Sequence, residues 1–98
     1  MIVYEVTATI ETDLAEKFEH YMREKHIADV LTTGLFVSAS FETSEKGRYR
    51  TRYVAENQDA LDKYLSEFSP RLRDDVTANF PRGTQFSREY WVVLDDFA

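Results

Sequence analysis

Apolar residues recur with a period of two along the N-terminal segment. Ile2, Tyr4, Val6, Ala8 and Ile10 alternate with Val3, Glu5, Thr7 and Thr9, as in a strand with one buried and one mixed face. The period then lengthens. Thr12 or Asp13, with Glu16 following, suits a helix start, and Leu14, Phe18, Tyr21, Met22 and Lys25 form a stripe at helical spacing that carries the helix to about His26. Residues 27–34 add a further helical turn closed by Gly34, a residue that accepts positive φ. Leu35, Val37, Ala39 and Phe41 next alternate with Phe36, Ser38, Ser40 and Glu42, and Ser44-Glu45-Lys46-Gly47 supplies turn chemistry before another alternating run, which predicts a hairpin. In its second arm Tyr49, Thr51, Tyr53 and Ala55 point one way while Arg48, Arg50, Arg52 and Val54 point the other.

Asn57 offers a cap for a helix with Leu61, Tyr64, Leu65 and Phe68 on one side. Ser69-Pro70 begins another that carries Leu72, Val76 and Phe80, so the second helical region is bent or doubled. Pro81-Arg82-Gly83-Thr84 breaks it, and Phe86 to Phe97 reads as a last strand whose centre, Tyr90 to Leu94, is apolar on both sides of the pleat. The element order β-α-β-β-α-β predicts an α+β, ferredoxin-like arrangement: a four-stranded antiparallel sheet with its helices on one face. The other face stays open. Trp91 or its neighbours, Val54 and Phe36 would leave an apolar patch there, which predicts pairing of two sheets in a homodimer.

Composition narrows the partners. A chain of 98 residues holds one hydrophobic core, so residues 1–98 form a single domain, and 43% hydrophobic content with few Gly and Pro predicts that it folds. Twelve Lys and Arg against 18 Asp and Glu give a net charge of −6, which repels nucleic acid and anionic lipid and argues against both as partners. The RNA-recognition motif shares this element order, but Arg48 and Arg50 stand where stacking aromatics are needed. Without Cys and with two His, a metal site has few ligands, and no Gly-rich phosphate loop or nucleophile elbow is present, so no cofactor is expected. The N-terminus lacks a basic flank and no apolar run approaches a membrane span, which makes a cytoplasmic protein the expectation.

Three groups of residues carry candidate chemistry. His26 with Asp29 one turn on could form a general base and its orienting carboxylate; equally, the two could cap helix ends and tie the connecting turn. Arg50 and Arg52, beside Arg48, could hold an anionic ligand on the open face, or pair with Glu5, Glu42 and Glu89 across the strands. Trp91 could wall an aromatic-binding pocket, whereas Tyr4, Tyr49 and Tyr53 share the phase of Ile2 and Val6 and fit packing under the helices.

Three segments, Met1 to Thr7, His26 to Phe36 and Phe68 to Phe80, resemble a small bacterial family known as domain of unknown function 4286. That family is similar to the dimeric α/β-barrel superfamily, whose members pair two ferredoxin-like sheets face to face and include cofactor-free monooxygenases, isomerases, dehydratases and cyclases. The resemblance implies a fold and a dimer. The run His-Ile-x-Asp-Val-Leu-x-Thr-Gly is also similar to a His and downstream Gly that lead into the second strand of some of those enzymes, which implies a catalytic role for His26, with Thr33 standing where Pro often precedes that Gly. Two readings follow: a homodimer that binds a small aromatic or anionic ligand and performs cofactor-independent chemistry, or a non-catalytic dimerisation or protein-interaction module.

Overall fold

The computed structural model describes all residues, 1–98. Four strands, β1 (Ile2–Ile10), β2 (Ser38–Glu45), β3 (Arg48–Ala55) and β4 (Thr84–Val92), form one antiparallel sheet in the order β2-β3-β1-β4. Between β1 and β2 runs a rod made of a short 3₁₀ turn (Thr12–Leu14), α1 (Ala15–Tyr21), a π-helical turn (Met22–His26) and α2 (Ile27–Thr32); α3 (Gln58–Glu67) and α4 (Ser69–Asn79) link β3 to β4. All the helices cover the same face of the sheet, where their apolar sides bury the β1 side chains at even positions. This is the ferredoxin-like fold expected from the element order.

Register decides which side chains meet. On the helix-covered face one row across the sheet is Ala39, Tyr53, Tyr4 and Tyr90, and the next is Phe41, Thr51, Val6 and Arg88. Tyr4 stacks on Tyr53 and Tyr90 at centroid separations of 6.0 and 5.4 Å. Phe36 and Tyr64 close over these rings in a T-shaped pair 4.8 Å apart. On the opposite face the rows read Ser38, Val54, Val3 and Trp91, then Ser40, Arg52, Glu5 and Glu89, then Glu42, Arg50, Thr7 and Ser87.

Local chemistry sets the joints. Asn57 accepts a hydrogen bond from the Ala60 N–H and caps α3, whereas Pro70 lies in the first turn of α4, where its missing N–H costs nothing. Gly34 ends α2 at φ 77°. Gly47 turns the hairpin at φ 90°, and its carbonyl accepts from the Ile10 N–H at 2.7 Å.

Three sequence expectations need correction. β2 begins at Ser38 and not at Leu35, because the chain turns sharply after Gly34; Phe36, not Val37, enters the core. β4 ends at Val92, opposite Ile2 at the start of β1; one more bond, from the Val93 N–H to the Met1 carbonyl at 3.0 Å, follows it, and Leu94 and Phe97 then lie in an irregular tail, 88% and 92% exposed. The first helix continues past His26 without ending there, and the extra residue of the π turn takes Lys25 off the inner stripe, which passes through His26, Ile27 and Val30.

Candidate functional site

The shift of the inner stripe decides where His26 goes. It lines a cavity of about 40 Å³ between the helices and the sheet, walled by Phe18 and Met22 from the rod, Tyr4 and Tyr53 from the sheet, and Tyr64 and Val76 from the last two helices. Burial pushes the imidazole down to about 4 from its ordinary value of 6.5, against the opposing pull of Asp29 and Asp75. His26 is therefore neutral at physiological pH. Its Nδ1 is buried without a hydrogen-bond partner, and so is the Tyr53 Oη, which lines the same cavity. Buried polar atoms are nearly always satisfied, and two orphans around one void mark a place where a water or ligand atom belongs. Burial also raises the Tyr53 and Tyr64 hydroxyls, so both remain protonated donors.

The mouth of the cavity lies where α4 faces the edge strand β4. Arg73 is exposed there, and Arg88, Phe86 and Val76 are half-buried. Arg88 Nε donates to Tyr4 Oη at 3.1 Å, and Arg73 Nη2 lies 3.5 Å from the same oxygen, the long limit of a hydrogen bond.

Asp29 does not hold the imidazole. It faces outward on the rod and accepts a 2.7 Å bond from Lys25, four residues earlier. Lys25 also reaches Asp75 at 3.2 Å, and the Tyr21 hydroxyl donates to the same Asp75 at 2.5 Å. This cluster holds the Asp75 carboxyl below the usual carboxylate range, chiefly through the Tyr21 hydrogen bond. Asp29 therefore reaches His26 only through its field.

Arg50, Arg52 and Trp91 lie on the other side of the sheet. Arg50 pairs with Glu42 at 2.8 Å, Arg52 Nε lies 3.6 Å from Glu5, and Trp91, half exposed, sits beside Val3. A wide groove of about 330 Å³ crosses this face between Glu5, Glu42, Glu89, Arg48 and Arg50. Within it Arg50 is paired with Glu42 and Glu5 with Arg52, while Arg48 bonds only to the Ser44 hydroxyl. The five site residues expected from the sequence thus do not form one constellation: His26 belongs to the interior, Asp29 to the outer surface, and Arg50, Arg52 and Trp91 to the open face. Tyr53, Arg73 and Arg88 were not among those expected. Arg88 had a readable signal, since it interrupts the apolar alternation Phe86, Tyr90, Val92.

No group of three or more His, Asp or Glu gathers into a metal site, and no helix is long and apolar enough to cross a membrane. A haem is far larger than the interior cavity and does not fit among the packed rings of Phe18, Tyr53 and Tyr64. At about 40 Å³ the closed cavity has room for a water or two, so a single aromatic ring enters only where the exposed Arg73 and the half-buried Phe86 give way and the cavity widens.

Solved structures with this backbone include the cofactor-independent oxygenase SnoaB from Streptomyces nogalater, 14% identical with a TM-score of 0.69 over 97% of this chain and 94% of that one. The heme-degrader MhuD from Mycobacterium tuberculosis, with two hemes bound in its active site, is 13% identical with a TM-score of 0.73 over 100% of both chains. A dimeric ferredoxin-like protein from an uncultured marine organism is 10% identical with a TM-score of 0.70 over 100% of this chain and 99% of that one. Identities at this level show a shared fold. A comparison with curated proteins gives no match. Over residues 1–92 the sequence matches the Domain of unknown function (DUF4286), and the chain belongs to that family.

Proposed function

We propose that this protein is a homodimer that binds a small organic molecule in the cavity between helices and sheet, with neutral His26 as the base of a cofactor-independent reaction. The observation that carries this reading is the pair of unsatisfied buried atoms, His26 Nδ1 and Tyr53 Oη, around one void. A neutral imidazole in an apolar wall accepts a proton from an acidic O–H or C–H of a bound ring compound, and a protonated Tyr53 hydroxyl donates to an oxygen on it. Asp29 and Asp75 favour the imidazolium through their fields once the proton has moved. SnoaB, a cofactor-independent oxygenase on the same fold, supports chemistry that needs no bound metal.

The dimer uses the open face. Trp91 and Val54 give it an apolar end, and the Arg50–Glu42 and Arg52–Glu5 pairs give it charges that a second copy related by a twofold axis can share. In this arrangement Arg50, Arg52 and Trp91 serve subunit contact, and the dimeric neighbour supports it.

Native mass spectrometry of the undenatured protein reads both halves of the proposal: a dimer that retains an organic molecule is expected, and a monomer at micromolar concentration contradicts it. The paired charges of the open face also favour a second reading, a non-catalytic dimerisation module. That reading predicts a bare dimer which Arg50→Ala weakens, with no ligand effect from His26→Leu.

A further inference from the structure

The chain carries 18 acidic residues against 12 basic ones, so an arginine at the mouth of a cavity has many acids to choose from. Arg73 and Arg88, which line the cavity, nevertheless make no salt bridge. None of the acids nearest in sequence pairs with them. Asp75 is held by Tyr21 and Lys25, and Glu89, next to Arg88 on an alternating strand, faces the opposite side of the sheet. Asp74 on the exposed side of α4 pairs with neither arginine.

The two guanidiniums converge on one neutral oxygen, Tyr4 Oη, at 3.1 and 3.5 Å. A phenol oxygen accepts few hydrogen bonds, whereas two guanidiniums bring ten N–H donors between them. Beyond these two bonds neither guanidinium has another hydrogen-bonding partner in the protein. The arginines also come from different elements, α4 and the edge strand β4, so a bridging anion would tie helix to strand and close the cavity behind itself. Arg88 is held in place by its bond to Tyr4 and by the Phe86 ring, 5.9 Å from its guanidinium carbon.

We propose that Arg73 and Arg88 form an anion-selective mouth to the helix–sheet cavity, and that the ligand is a ring compound bearing a carboxylate or phenolate that binds between the two guanidiniums while its ring enters beside Phe86 and Val76. This rests on the cavity being the ligand site. Charge-assisted bonds to two arginines select the anion over a neutral molecule of the same shape. They also place the ring with its opposite edge toward His26 and Tyr53.

The test is equilibrium binding of benzoate, its neutral isostere benzamide, and 4-nitrophenol to the full-length protein, followed through backbone amide shifts and, for nitrophenol, the visible absorbance of the phenolate. Benzoate is expected to bind about tenfold or more tightly than benzamide, with both perturbing His26 and Tyr53. Arg88→Met should weaken benzoate by about tenfold and change benzamide by less than about twofold, with Arg73→Met acting in the same direction. Bound nitrophenol should show the phenolate spectrum below the pH at which the free compound does, an effect lost in both variants. A carboxylate preference without the nitrophenol effect assigns the mouth to carboxylates, and the converse assigns it to phenolates. Equal binding of benzoate and benzamide within the cavity, together with no nitrophenol effect, overturns the anion selectivity and leaves the cavity reading intact. Failure of all three compounds to perturb His26 and Tyr53 overturns both.

Discussion

The burial of His26 makes a quantitative prediction about acid. In the unfolded chain an imidazole takes up its proton near 6.5, whereas the folded chain resists until about 4. Between those values the unfolded state binds about one proton more than the folded state, so stability falls as pH falls through this window and is constant above it. The full difference corresponds to about 3 kcal/mol, and residual solvent contact at His26 reduces this to about 2–3 kcal/mol. In a domain of this size that is a large share of the roughly 5–10 kcal/mol available. His26→Gln keeps a polar side chain and removes the titration. Urea unfolding of both proteins at intervals between about pH 7.5 and 4.5 should show the wild type losing that amount relative to the variant. Asp75, whose carboxyl is held down by Tyr21 and Lys25, adds a loss of the same sign at lower pH, common to both proteins. Two-dimensional NMR of the ring nitrogens supplies the direct check, with exposed His20 as the second signal in the same spectrum. Protonation of His26 at its ordinary value, or equal slopes for wild type and variant, would refute the reasoning.

Further expectations concern single sites. Gly47→Ala places a Cβ 2.6 Å from the Ile10 carbonyl oxygen at a residue with φ 90°, and it should cost about 2 kcal/mol or more by urea denaturation. Trp91→Lys puts a charge at the apolar end of the open face and should shift the proposed dimer to monomer in sedimentation velocity, with its circular dichroism unchanged. Tyr53→Phe removes an unpaired buried hydroxyl and is expected to be neutral or stabilising by up to about 1 kcal/mol in thermal unfolding, while weakening any ligand with an oxygen on its ring. Leu61→Ala, at a core position 1% exposed, should cost about 2–5 kcal/mol.

Much of the fold was legible because its strands obey a simple period. The alternation of Ile2 to Ile10 and of Tyr49 to Ala55 assigned Tyr4, Tyr49 and Tyr53 to the helix-covered face, and it placed Arg48, Arg50 and Arg52 together on the other. Pairing of Arg50 with Glu42 and of Arg52 with Glu5 followed from the same pattern. The candidate site was much less legible, and the reason is one inserted residue. A π turn has no compositional mark, so α-helical spacing put Lys25 on the inner stripe and Asp29 behind His26; the actual turn sends Lys25 and Asp29 outward as an ion pair. β4 was ambiguous for a different reason. Its centre is apolar on both faces, and only register with β1 shows that Trp91 meets Val3 while Arg88 meets Val6 under the helices. Arg73 lay hidden on a helix whose polar side reads as solvated, because its meeting with Tyr4 spans 69 positions of the chain.

The central claim is that the interior around His26, and not the open face, takes the ligand. Titration of the isotope-labelled protein with phenol, a neutral ring that does not depend on the arginines, tests it most directly through amide and imidazole shifts. Perturbation of His26, Tyr53, Tyr64, Val76 and Phe86, which line the cavity, is expected. Shifts confined to Arg50, Arg52 and Trp91 on the opposite face of the sheet would contradict it.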